Sequence, residues 1–199
     1  MTSAPPPWQV IRRASFKRSP WKNGGGVTHE AIRVPPQGDA FLWRVSVAEI
    51  AASGPFSEFA AYNRTMVLLK GDGMELELAN GQQRILRRVG ELAEFDGGLA
   101  AHCRLLGGPC VDLNLMVAKN KPMIAHVDSL HRDVEVQATQ DESQVIFAID
   151  ASLNLDGGGE HARLEPWDLA VISNRAVRVT CAPRNPPATA AVFFATIPH

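Results

Sequence analysis

Glycine-bearing turn signals interrupt this chain so often that only short strands fit between them. They recur at Asp72-Gly73, Asn80-Gly81, Asp96-Gly97-Gly98, Gly107-Gly108-Pro109 and Asp156-Gly157-Gly158-Gly159. Such sequences favour tight turns because glycine takes positive φ without steric cost. Between them lie runs of two-residue period. Met74 to Leu78 alternates and closes on Asn80-Gly81, a hairpin signal. Trp43 to Val47 sets Arg44 and Ser46 on one face, and Val111 to Val117 does the same for Asp112, Asn114 and Met116. Arg175 to Thr180 alternates as well. The best helical window, Val47 to Ala52, is short and stopped by Gly54-Pro55. The chain is therefore expected to be all-β, a sandwich or barrel.

A faint repeat doubles this pattern. The stretch from Val67 to Asp72 with Leu76 to Leu78 resembles Val145 to Asp150 with Leu153 to Leu155, and Leu76 and Leu153 are 77 residues apart. Arg88 to Phe95 lies at the same spacing from Glu165 to Ile172. Each copy reads as a hairpin, a turn and a second set of strands, so the expectation is a duplicated barrel.

Composition narrows the function classes. The 199 residues carry 20 Lys+Arg against 21 Asp+Glu, and hydrophobic residues make up 45%. That suits one large domain or two small fused ones, not a disordered chain. A sequence pI near 6.6 offers no electrostatic case for nucleic acid or an anionic membrane. Met1 to Pro7 has no apolar signal core, and no run reaches the ~20 apolar residues of a membrane span. The expectation is a cytoplasmic protein with no membrane partner. Cys103, Cys110 and Cys181 form no CxxC pair and are read as reduced, packed thiols. Asn63-Arg64-Thr65 matches a glycosylation acceptor but lacks a secretory context.

The six histidines, His29, His102, His126, His131, His161 and His199, include no His-x-His, so no metal site is read. Gly24-Gly25-Gly26 leads into Val27-Thr28 rather than the lysine of a phosphate loop, Gly71-Asp72-Gly73 lacks the third glycine of a dinucleotide site, and no Gly-x-Ser-x-Gly occurs. No cofactor is expected. What remains is a set of anion-binding groups interleaved with aromatics. Trp21, Lys22 and Asn23 precede three glycines whose N–H groups could add donors, and His29 and Glu30 are read as finishing that turn. Phe56, Phe59, Tyr62 and Arg64 cluster further on. If Arg44, Ser46, Tyr62, Arg64, Asp112 and Asn114 line one lumen, the site is cationic with a counter-carboxylate, suited to a small carboxylate held by an arginine fork.

At these residues the sequence resembles the HutD/Ves family of bicupin proteins. The matching elements are Trp21 to Gly26 with Thr28 and Glu30, Trp43 to Ser46, Ser53 to Phe59 with Tyr62 and Arg64, Leu69-x-Gly71-x-Gly73, Phe95 to Gly97, and Gly108-Pro109 with Asp112 to Met116. The resemblance implies a cupin-like double β-barrel, with residues 1–199 as one bicupin unit. The first half would run over about 20–118 and the second over about 119–199, with shared strands left open. Where a metal cupin carries Gly-x5-His-x-His, counting from Gly54 finds Ala60 and Tyr62, so the ligands are missing. The family is linked to histidine utilisation, which implies a metal-independent binder of urocanate, formylglutamate or formate that modulates that pathway. Carried over, Arg64 anchors the carboxylate, and Lys22, Trp21, Tyr62, Phe59, Trp43, Asp112 and Asn114 are walls and secondary contacts.

Two other readings stand beside this one. A metal-independent hydrolase, lyase or isomerase of a related formylated or imidazole carboxylate would use Tyr62 or Asp112 as acid or base. A purely structural or protein-interaction role would leave the pocket vestigial. The expected partner is a small anionic metabolite and not nucleic acid, and a homodimer is an assembly left open.

Overall fold

The computed structural model describes residues 8–130, 133–181 and 190–198. Along the first part of the chain run β1 (Trp8–Ile11), β2 (Lys17–Pro20), β3 (Gly26–Val34), β4 (Trp43–Ile50), β5 (Gly54–Pro55) and β6 (Tyr62–Lys70). Next come β7 (Met74–Leu78), β8 (Gln83–Leu86), β9 (Leu92–Asp96), β10 (Ala101–Leu105) and β11 (Cys110–Ala118). The remainder are β12 (Ile124–Leu130), β13 (Val134–Gln137), β14 (Glu142–Ala148), β15 (Leu153–Gly157), β16 (Glu160–Leu164), β17 (Leu169–Ser173), β18 (Ala176–Cys181) and β19 (Ala190–Pro198). A single 3-10 turn, Arg13–Ser15, is the only helical element among the described residues.

The helical window at 47–52 is overturned: Val47 to Ile50 finish β4, a strand paired on both sides by β3 and β11. The strand is buried on both faces over most of its length, and two neighbouring ladders outweigh the weak local helical preference.

Two compact units emerge, Ser15–Lys121 and Met1–Ala14 with Pro122–His199. In the first, the six-stranded sheet β2-β3-β4-β11-β6-β9 packs on the four-stranded sheet β5-β10-β7-β8. In the second, the five-stranded sheet β1-β17-β14-β19-β12 packs on β13-β18-β15-β16. Every pairing is antiparallel. Laid side by side, β9, β6, β11 and β4 correspond to β17, β14, β19 and β12, and β5, β10, β7 and β8 to β13, β18, β15 and β16. The duplication read from sequence is thus a duplication of strand order. Its alignment needs one local correction. Leu92 pairs with Val67, and its repeat Leu169 pairs with Phe147, so Val67 corresponds to Phe147 rather than to Val145. In neither unit does the ladder close, so each cupin-like barrel is a two-sheet sandwich of the jelly-roll kind.

Alternation explains the first unit's interior. Met66 and Leu68 of β6, Ile50 of β4 and Cys110 of β11 meet Met74, Leu76 and Leu78 of β7 and Leu86 of β8 in one apolar core. The same faces of β4, β6 and β11, followed along the strands, turn polar at Arg44, Ser46, Arg64, Asp112 and Asn114. The sandwich is sealed by hydrocarbon at one end and lined by charge at the other. Cys103 and Cys110 are buried free thiols, and Cys181 is half-buried and free. Burial raises Cys103 to about 12, which makes its thiol inert at neutral pH.

Gly26 shows how tightly this end is built. A Cβ there would strike the Glu49 carbonyl oxygen and lie 3.0 Å from the Trp21 ring. Gly26→Ala is expected to cost about 1–3 kcal/mol of stability by overpacking a strand pair that cannot move apart. Chemical denaturation measures it, and an unchanged midpoint would show that β3 yields freely.

Candidate functional site

A cavity of about 620 Å³ opens into the polar end of the first unit. Its floor is set by strand register. Arg44, Met116 and Arg64 lie side by side across β4, β11 and β6, and Ser46 and Asn114 form the next rung with Met66. Phe95 of β9 faces Arg64 across the adjoining ladder.

Arg64 is 5% exposed. Its guanidinium carbon lies 5.1 Å from the Phe95 ring, 5.5 Å from Phe56 and 5.6 Å from Phe59. Ring faces carry negative potential, so three of them hold a cation in place without neutralising it. Nε donates to Asn114 Oδ1 and Nη1 to the Ser57 carbonyl, both at 3.4 Å. These are long contacts, and Nη2 has no partner among the described residues. Burial lowers the Arg64 pKa to about 10, against the pull of Asp112, so the group stays charged at neutral pH. Arg44 is lowered as well, by burial first, and its Nε is buried without an acceptor.

Asp112 is 1% exposed and faces the same space. Asn114 Nδ2 donates to its Oδ2 at 3.3 Å, so the amide bridges the acid to Arg64. Its Oδ1 is buried with no hydrogen-bond partner among the described residues, although the backbone N–H groups of Asp112 and Ala48 also favour the ionised carboxyl. Desolvation raises the carboxyl to about 7, although Arg64 pulls the other way. A buried lone pair without a donor is costly unless a proton or a ligand meets it.

Around this floor the sequence-derived set mostly converges. Trp21, Lys22, Asn23, Arg44, Ser46 and Phe56 line the cavity, as do Phe59, Arg64, Asp112 and Asn114. Trp21 is fixed by its indole N–H, which donates to Thr28 Oγ1 at 2.8 Å, and by an edge contact with Phe56. Two expectations fail. Trp43 belongs to the odd-numbered face of β4, opposite Arg44, and is buried there. Tyr62 lies outside the lining because its ring stacks on Phe41 at 4.0 Å and its hydroxyl accepts the Phe41 N–H at 3.1 Å. Tyr62 is therefore not an acid or base of this site. Two of the three glycine N–H groups expected to add donors are already used: Gly24 N donates to the Trp21 carbonyl and Gly25 N to Asn23 Oδ1.

Three charged lining residues were missed. Lys17 lies on β2, whose exposed pattern carried no inward signal. Glu30 does not finish a turn; it sits within β3 opposite Ser46, with Oε2 3.9 Å from Arg44 Nη1. His29 points the other way, its Nε2 3.1 Å from Glu49 Oε1. Arg33 should share the face of His29 by simple alternation. A bulge between Glu30 and Ile32 shifts the phase and turns Arg33 inward, opposite Arg44. Five cationic side chains then face two carboxylates.

The second unit has no such floor. Following the ladders from Leu169, Gln144 takes the place of Arg64, and Val192 and Phe194 those of Asp112 and Asn114. Among the described residues no cluster of three His, Cys, Asp or Glu could hold a metal. No described helix is long and apolar enough to cross a membrane.

A duplicated two-sheet sandwich with a polar, cationic cavity in one copy defines a bicupin compatible with small-molecule binding. Within that class the family is specific: the HutD family profile matches residues 13–188, and the chain belongs to the HutD family. It is 43% identical over 114 residues to the uncharacterised 21.2 kDa protein in the hutC 3′ region of Pseudomonas putida. That match spans 57% of this chain and only 60% of the relative's length. The conserved protein PA5104 of Pseudomonas aeruginosa PAO1 superposes with a TM-score of 0.86 at 27% identity, covering 96% of this chain and 99% of that one. HutD of Pseudomonas fluorescens SBW25, in its formate condition, superposes with a TM-score of 0.76 at 28% identity, covering 96% and 100%.

Proposed function

We propose that this protein binds a small carboxylate metabolite of histidine degradation, of the urocanate, formylglutamate or formate type, and modulates histidine utilisation through the bound state. The observation that carries the reading is Arg64: a buried, aromatic-walled guanidinium with an unused donor edge, beside a carboxyl oxygen that lacks a partner. A charge-assisted contact to such a group contributes about 1.5–3 kcal/mol. Asp112 Oδ1 adds a second point of recognition, an acceptor for a ligand N–H when ionised and a donor when protonated.

Thermal unfolding of EDTA-treated protein with urocanate, formylglutamate, formate and glutamate tests the proposal. A true ligand at ~100 times its dissociation constant raises stability by ~2.7 kcal/mol. If none of the four moves the midpoint, the carboxylate reading is wrong. A second reading, a metal-independent hydrolase, lyase or isomerase, rests on Asp112 alone, whose pKa of about 7 suits proton transfer. It requires turnover of one of these compounds that Asp112→Asn abolishes.

A further inference from the structure

The duplication exposes one difference between the units that the ligand site does not use. In the first unit β4 is flanked by β3, paired over most of its length. Its counterpart β12 has β19 on one side and no strand on the other among the described residues. The backbone donors and acceptors of this seven-residue strand that point away from β19 form an open edge, and most of its side chains are exposed, with Ile124 at 69%. Natural edges of this length are paired, covered or blunted by charge, because an unpaired ladder invites another strand.

The strand is complementary to itself. If two copies pair antiparallel about a two-fold axis at Val127, His126 of each stands opposite Asp128 of the other, Ala125 opposite Ser129 and Ile124 opposite Leu130. Direct cross-strand neighbours lie on the same face of a sheet, so both His–Asp pairs form on one surface. His126 is already held for this contact: its ring stacks on Phe194, the residue it faces on β19, at 5.5 Å. Sliding the register by two residues breaks both His–Asp pairs.

We infer that β12 is a homodimer edge, joining the five-stranded sheets of two copies into one continuous ten-stranded sheet through a β12–β12 ladder centred on Val127. The interface is isologous, so it closes at two and does not propagate.

Sedimentation velocity on the whole chain over a dilution series, with His126→Asp, Asp128→His and the double exchange, tests it. Each single change sets like charges or two imidazoles against each other twice and is expected to weaken dimerisation about tenfold or more. The double exchange restores opposite partners and is expected to recover the dimer. Both side chains are exposed, so the far-UV circular dichroism spectrum should stay native in every variant and separate loss of pairing from loss of fold. A wild type that stays monomeric at every concentration overturns the inference. So does a dimer indifferent to the single changes, or one that the double exchange fails to rescue.

Discussion

Replacing Arg64 with methionine is expected to weaken carboxylate binding about ten- to a hundredfold while the protein still folds. The guanidinium is the deepest cation of the cavity, and the three phenylalanines around it hold charge without supplying a counter-ion. Methionine fills much of the same volume and leaves no donor. Its effect on stability should depend on pH. Removing a desolvated cation relieves a cost, since buried ionic groups are often replaced by apolar ones without loss. Asp112, however, loses the one charge that favours its ionised form. The variant should therefore match or exceed wild type in mildly acid solution and fall behind as the pH rises past neutrality. Calorimetric titration with formate and urocanate, paired with melting curves across pH, reads both effects. Retained tight binding in Arg64→Met would move the anchor to Arg44 or Arg33. Lys22→Ala is the useful contrast: an exposed rim lysine attracts the ligand through water and salt, so its removal should cost far less.

How much of this site could be read from sequence follows from the period of a strand. Arg44 and Ser46, and Asp112 and Asn114, announce a shared face because each alternates with apolar residues, while Arg64, set between Asn63 and Thr65, is marked by Tyr62 on its face and Phe59 upstream. The ladders bring those faces together. Turn chemistry and the repeat made the all-β, duplicated fold legible as well. Where the reading failed, tertiary geometry had replaced the simple period. Tyr62 shares the parity of Arg64, but Phe41 captures its ring at the end of β6, a contact between residues 21 apart that no local pattern encodes. Trp43 was placed by resemblance against its own parity, and parity prevailed. The bulge in β3 hid Arg33 by inverting the phase over one residue. The second unit repeats the architecture with Gln144, Val192 and Phe194 at the floor, so equal backbones carry unequal side-chain chemistry.

The stability of the wild type is expected to fall between about pH 4 and pH 7, and Asp112→Asn should remove that fall. In the folded protein Asp112 is raised from 3.8 to about 7, with burial the leading cause. Within that window the folded state keeps a proton that the unfolded chain has released. Stability then declines as pH rises, by up to about 4 kcal/mol across roughly three units, and levels off above neutrality, where both states are ionised. Asparagine keeps the shape and does not titrate. The difference between variant and wild type should be small near pH 4 and reach its full value near pH 8, as measured by urea midpoints at each pH. Binding should follow the same proton. Below neutrality a protonated Asp112 can donate to a carboxylate oxygen, whereas above it the ionised group repels one. Formate affinity in wild type should therefore drop as the pH passes 7, and the drop should disappear in Asp112→Asn, whose amide can donate at every pH. Parallel stability profiles for the two proteins would mean that Asp112 is ionised throughout and held by Arg64. In that case the partnerless oxygen at the floor would be a permanent acceptor, and the ligand would have to bring an N–H to it.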